Sequence, residues 1–139
     1  MNLNDVKQFL DQFHECVIAS VGDAMQPEAA TVGLSCDENF TFMIATNQST
    51  RKAKNLQSNQ KVAIVVGFDG PKTVQIEGAA QIVDKDNFNS RIQLHLDWVP
   101  SAKAYDSEPD QTYYLITPTW LRFTDYTKSP DTFETKDFS

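Results

Sequence analysis

The chain has 139 residues, 40% hydrophobic and 11% aromatic, with a formal net charge of −7 from 19 acids against 12 basic residues. That length fits one domain built on a single core. Its acidity excludes nucleic acid or an anionic membrane as partner, because no general basic field exists to neutralise phosphates. No apolar run approaches the ~20 residues that span a bilayer. The opening MNLNDVKQFLDQF lacks a basic segment followed by an apolar one, so no secretory signal is expected and a cytoplasmic location is. Cys16 and Cys36 stand apart rather than in CxxC spacing and read as reduced core thiols.

Residues 4–14 predict an amphipathic helix, with Val6, Phe9, Leu10 and Phe13 on one face and Asn4 as the cap. CVIASVG (16–22) and EAATVGLSC (28–36) read as strands across a turn, and CDEN (36–39) as a hairpin turn into a third strand, FTFMIAT (40–46). Ser49 or Thr50 then caps a short helix reaching Leu56. KVAIVVGF (61–68) is a continuous apolar run, as expected of a strand buried on both faces. After the turn DGP, KTVQIEGAAQIV (72–83) alternates as a half-buried strand, with Gly78 allowing a bulge. Residues 84–96 predict a helix, 97–111 are unassigned, and TYYLITP (112–118) and TWLRFTDY (119–126) read as two strands meeting at Pro118. The tail, 127–139, is polar and charged, and both disorder and a surface-lying arm are open for it. The fold class is therefore mainly β: a six- to seven-stranded antiparallel barrel over residues 1–126 with flanking helices.

The short helix at 50–56 is electrostatically odd. Arg51 and Lys52 occupy its first turn, where the helix dipole already holds about half a positive charge and cations are unfavourable by about 0.3–1 kcal/mol each. Between Glu38 and Asp69 the chain has no acid, yet it carries Arg51, Lys52, Lys54 and Lys61. A small local positive site on an acidic protein suits a small anion. Backbone N–H groups at a helix start bind phosphate, and Arg51 and Lys52 would add charge-assisted bonds. Thr46, Ser49 and Thr50 would add hydroxyl donors. The competing reading is that both cations are merely solvated. Elsewhere the signals are weak. His14 and His95 have no partners at metal-ligand spacing, so no metal site is expected. No nucleophile motif is present, and no catalytic residue is assigned. Asp106, Glu108 and Asp110 read as a solvated loop. An anion site without acid–base machinery suits a cofactor that brings its own chemistry.

In chain order, Thr46-Asn47, Thr50-Arg51-Lys52, Asn55-Leu56, Asn59-Gln60 and Gly78-Ala79-Ala80 form a set spread over roughly residues 28–84. The set resembles the pyridoxamine 5′-phosphate oxidase-like flavoproteins, which have the FMN-binding split β-barrel fold, and LRFTDY resembles their last barrel strand. The resemblance implies that Arg51 and Lys52 hold the FMN phosphate. It places Thr46 and the backbone at Ala45 along the ribityl chain and ring, Thr73 within reach of the flavin, and Ala30–Ser35 along the ring edge. It also implies a homodimer with two FMN sites at the interface. The chain departs from the true oxidases. Ala30 and Ser35 stand where those place an Arg and a Lys, Gln60 replaces a proline, Thr124 stands where they place a flavin-stacking tryptophan, and no Arg-x-His segment is present. The expectation is thus a flavin-dependent oxidoreductase of the short, general-stress-protein-like or nitroreductase-like branches, acting on an unidentified small molecule. Alternatives are a non-enzymatic flavin or phosphorylated-ligand module, or a relative binding the deazaflavin F420 or haem.

Overall fold

The computed structural model describes residues 1–139. Helix α1 spans Leu3–Leu10 and is capped by Asn2 rather than Asn4. The Asn2 side chain accepts from the Asp5 N–H while Asp5 accepts from the Asn2 N–H, a reciprocal pair that satisfies two end donors at once. The strands are β1 (Glu15–Val21), β2 (Pro27–Gly33), β3 (Ser35–Cys36), β4 (Phe42–Asn47), β5 (Lys61–Val66), β6 (Lys72–Val83), β7 (Gln111–Asp125) and β8 (Thr132–Thr135). Helices α2 (Arg51–Ser58) and α3 (Asn89–Trp98) interrupt them. The expected 28–36 strand is two pieces. The first pairs with β1 and the second with β4.

That break explains the curl. The antiparallel sheet runs β2-β1-β5-β6-β7-β4-β3, so consecutive segments of chain lie at its two ends. A flat sheet could not join them through Leu34 alone, and it rolls into a split barrel. Inside it lie Ile18, Phe42, Ile44, Ile64, Val66, Ile76, Ile116 and Leu121, all essentially inaccessible, with α1 contributing Val6, Phe9 and Leu10. A second, smaller cluster fills the space between the other face of β4 and α3: Met43, Tyr113, Ile92, Leu96 and Val99.

The predicted strands at 112–118 and 119–126 are one 15-residue strand. Pro118 cannot donate to a ladder, but it stands opposite Gly78, and Trp120 stands opposite Glu77, leaving Thr119 unpaired as a bulge. A Cβ on Gly78 would lie 2.6 Å from the Thr117 carbonyl oxygen, so only glycine permits the approach. Beyond the bulge, β7 outruns β4, and β8 pairs with its free edge at Leu121–Thr124. Part of the polar tail is therefore a strand, fastened by Trp120 Nε1 donating to Glu134 at 2.6 Å. β5 is not buried on both faces: Lys61 and Ala63 are exposed and Val65 half-buried. Its outward Ala63 and Val65 are apolar but no second layer of this chain covers them. Helix α3 starts at Asn89, later than expected, because Asp84 accepts from the N–H and side chain of Asn87 and holds a turn there. No helix is long and apolar enough to cross a membrane.

Candidate anion site at the start of α2

The sequence TNQSTRK folds as a strand end, a turn and a helix start. Thr50, not Ser49, is the cap. Its backbone is extended, and its hydroxyl accepts from the Ala53 N–H at 3.3 Å. Ser49 is exposed, its own N–H bound to the Asn47 side chain at 2.9 Å. Thr46 is buried behind the cap, with its hydroxyl 2.9 Å from that of Thr50. Ala53 and Leu56 point into the core, which fixes α2 with its N-terminus beside β1 and β2.

A cavity of 230 Å³ opens there, lined by Ile18, Ser20, Glu28, Ala30, Arg51 and Lys52 among others. Lys52 is half-buried, and no carboxylate or other acceptor meets its ammonium. Burial accordingly holds its pKa below the usual lysine value. The N–H groups of Arg51 and Lys52 find no acceptor in the protein, as expected of the first two helical positions. Arg51 is different. Its guanidinium is largely exposed, and its Nε lies 3.1 Å from Glu28 Oε1. Glu28 also accepts from Asn55 Nδ2 at 2.9 Å, and the same amide nitrogen donates to Ser20 Oγ at 3.0 Å.

Of the residues predicted to hold a cofactor, Arg51 and Lys52 line the cavity, whereas Thr46 and Thr50 lie behind the helix start with their hydroxyls engaged by each other and, for Thr50, by the Asn47 carbonyl at 2.9 Å. Ala45 points to the other face of β4, against the cluster under α3. Thr73 lies on β6 outside the cavity, its hydroxyl donating to the Val66 carbonyl at 3.3 Å. Of the segment 30–35, Ala30 lines the cavity, whereas Ser35 is buried beneath α3. Sequence reasoning gave no site role to Glu28, nor to Asn55 beyond its place in the family set, because their neighbours are set by tertiary pairing of β1, β2 and α2. The spacing of charges along the chain gave no sign of either.

Ser35 belongs to a polar cluster that the sequence did not announce. Its hydroxyl lies 2.7 Å from His95 Nδ1 and accepts from Arg91 Nη1 at 2.9 Å. Arg91 Nη2 also donates to the carbonyls of Ser35 and Thr41. Arg91 can only donate, so the serine oxygen accepts from it, and His95 Nε2 on the far side of the ring is buried without a hydrogen-bond partner. Burial, and then the Arg91 charge, pushes the His95 pKa down to about 4. Ser35 and His95 are each 1% exposed, so no substrate reaches this pair. It pins α3 to β3. His14 is likewise engaged, with Nδ1 2.8 Å from the Trp98 carbonyl. Neither histidine lines the cavity, and no group of three potential metal ligands occurs.

Comparison with known proteins agrees with this architecture. A heme binding protein from Mycobacterium smegmatis superposes with a TM-score of 0.81 at 16% identity, covering 95% of this chain. The match takes in 56% of that protein, so the chain spans little more than half its length. A Clostridium acetobutylicum protein related to general stress protein 26 of B. subtilis (pyridoxinephosphate oxidase family) superposes at 0.75 with 19% identity, covering 96% of this chain and 93% of that one. General stress protein 26 from Bacillus anthracis gives 0.71 at 18% identity, covering 97% and 100%. At such identities the likeness establishes the fold alone. No curated protein matches by sequence. The model of the family described as pyridoxamine 5′-phosphate oxidase matches residues 4–125, nearly the whole barrel, and the chain belongs to that family.

Proposed function

We propose that the protein binds FMN with the phosphate at the N-terminus of α2, as a homodimeric flavoprotein acting in redox chemistry on a small molecule. The observation that carries this reading is Lys52: a half-buried cation with no acidic partner, lining a cavity beside two unsatisfied N–H groups. A partly desolvated ammonium at a helix start is unfavourable, and an anion there would offset that cost. A phosphate monoester fits the donor set, taking the Lys52 ammonium, one edge of the Arg51 guanidinium and the helix N–H groups.

Bound FMN would supply hydride or electron transfer through its ring. The chain's own residues hold the phosphate, wall the site with Ile18 and Ala30, and fix the helix start through the Thr46–Thr50 hydroxyl pair. The single-chain cavity, 230 Å³, is below the ~300 Å³ at which small-molecule pockets usually begin. A second copy completing the site accounts for that shortfall. The outward face of β1, β5 and β6 supports such a partner, since Ala19, Ala63 and Ala79 line a shallow, largely apolar recess there.

The test is the visible spectrum of the purified protein with and without FMN. Flavin absorption that stays with the protein through gel filtration at the dimer's size supports the reading. A haem spectrum, or no binding at micromolar FMN, overturns it. Turnover is separated from storage by reducing the bound flavin with NAD(P)H and following reoxidation by candidate acceptors.

A further inference from the structure

An anion site has no evident use for a carboxylate, yet Glu28 is built into this one. It stands on β2 opposite Ser20 of β1, with its side chain 18% exposed. Three features hold it. Asn55 donates to Oε1 at 2.9 Å, Arg51 Nε lies 3.1 Å from the same oxygen, and Gly22 leaves the space beyond, where a Cβ would stand 2.7 Å from Oε2. Asn55 is itself tied to Ser20 at 3.0 Å, so the carboxylate sits on an ordered frame and not on a mobile surface arm. The charged groups lining the cavity are therefore two cations and one anion, and the anion engages the more exposed cation.

We propose that Glu28 is a built-in competitor for the phosphate. It keeps Arg51 docked in the free protein and sets FMN affinity low enough for the nucleotide to exchange, making the flavin a dissociable ligand rather than a permanent one. The proposal rests on the FMN reading and adds the residue that sets its strength. A phosphate arriving at Lys52 and the helix N–H groups must share Arg51 with Glu28 while meeting a like charge, and like-charge juxtaposition is costly in a partly desolvated site. Riboflavin, which lacks the phosphate, meets no such opposition.

The experiment titrates wild type and Glu28→Gln with FMN and with riboflavin, following flavin fluorescence. Glutamine keeps the length of the side chain and the acceptor for Asn55 while removing the charge. Glu28→Gln should bind FMN about tenfold tighter or more, equivalent to roughly 1.4 kcal/mol, with riboflavin unchanged. A purely structural role would move both ligands together. Glu28→Ala carries the same expectation and covers the case in which the glutamine variant does not fold cooperatively. Wild type that binds FMN as tightly as both variants, or more tightly, overturns the inference and leaves the flavin reading standing. Micromolar FMN binding to wild type that tightens in the variants supports both; binding to the variants alone keeps Glu28 as the competitor but overturns the flavin reading of the native chain. Failure of all three proteins to bind FMN removes the flavin reading and the inference with it.

Discussion

Replacing Lys52 by alanine is the cleanest perturbation of the anion site, because Lys52 has no other engagement in the protein. Lys52 lines the cavity and no carboxylate meets its ammonium, so the free protein loses no ion pair. What the variant would lose is the proposed bond to phosphate, a charge-assisted contact of about 1.5–3 kcal/mol, so FMN should bind about 10- to 150-fold more weakly. Arg51→Ala should cost more. It removes a comparable contact and also leaves the Glu28 carboxylate, 3.1 Å from Arg51 Nε in the native protein, unneutralised beside the phosphate. The double variant should bind at least as weakly as either single one. Fluorescence titration with FMN and riboflavin in parallel reads all three. The expected order is wild type, then Lys52→Ala, then Arg51→Ala for FMN, with riboflavin nearly constant. Equal FMN affinity in wild type and Lys52→Ala would refute the reasoning, since the cation would then be solvated. Equal losses for FMN and riboflavin would refute it too, by moving the cations' role away from phosphate.

Thr50→Ala removes the cap of α2 and the hydroxyl contact to Thr46. It should cost about 1 kcal/mol and lower the melting temperature by about 2–5 °C in calorimetry. An unchanged melting temperature would mean that Ser49 takes over the cap. Gly78→Ala places a Cβ 2.6 Å from the Thr117 carbonyl oxygen, and urea unfolding should show a loss of about 1–3 kcal/mol through a lower midpoint. His95, with its pKa held at about 4 against an ordinary 6.5, is neutral in the folded protein but charges readily when unfolded. Its contribution is therefore intact above pH 6.5 and is lost as pH falls toward 4, by up to about 3 kcal/mol. Denaturant midpoints for His95→Asn should fall less steeply over that window than those of wild type; parallel curves would contradict the assignment.

The barrel was largely legible because its strands announce themselves locally. Val74, Ile76 and Gly78 alternate with polar neighbours, and β6 is found at the predicted residues 72–83. The misreadings have a common cause, which is that pairing partners are invisible along the chain. Pro118 looks like a strand end until Gly78 is seen opposite it. EAATVGLSC looks like one strand until its halves are seen at the sheet's two ends. KVAIVVGF looks buried on both faces because hydropathy cannot tell a covered apolar face from an open one. At the site, Arg51 and Lys52 were conspicuous because a helix start disfavours cations. Glu28 was not, because 22 intervening residues hide its approach to Arg51.

The most direct test of the account is a crystal structure grown with excess FMN. It should place a phosphate oxygen about 3 Å from Lys52 Nζ and from the N–H groups that open α2, with the Arg51 guanidinium turned toward the phosphate. A flavin bound elsewhere, or an α2 start that stays in water while Lys52 extends into solvent, would contradict it.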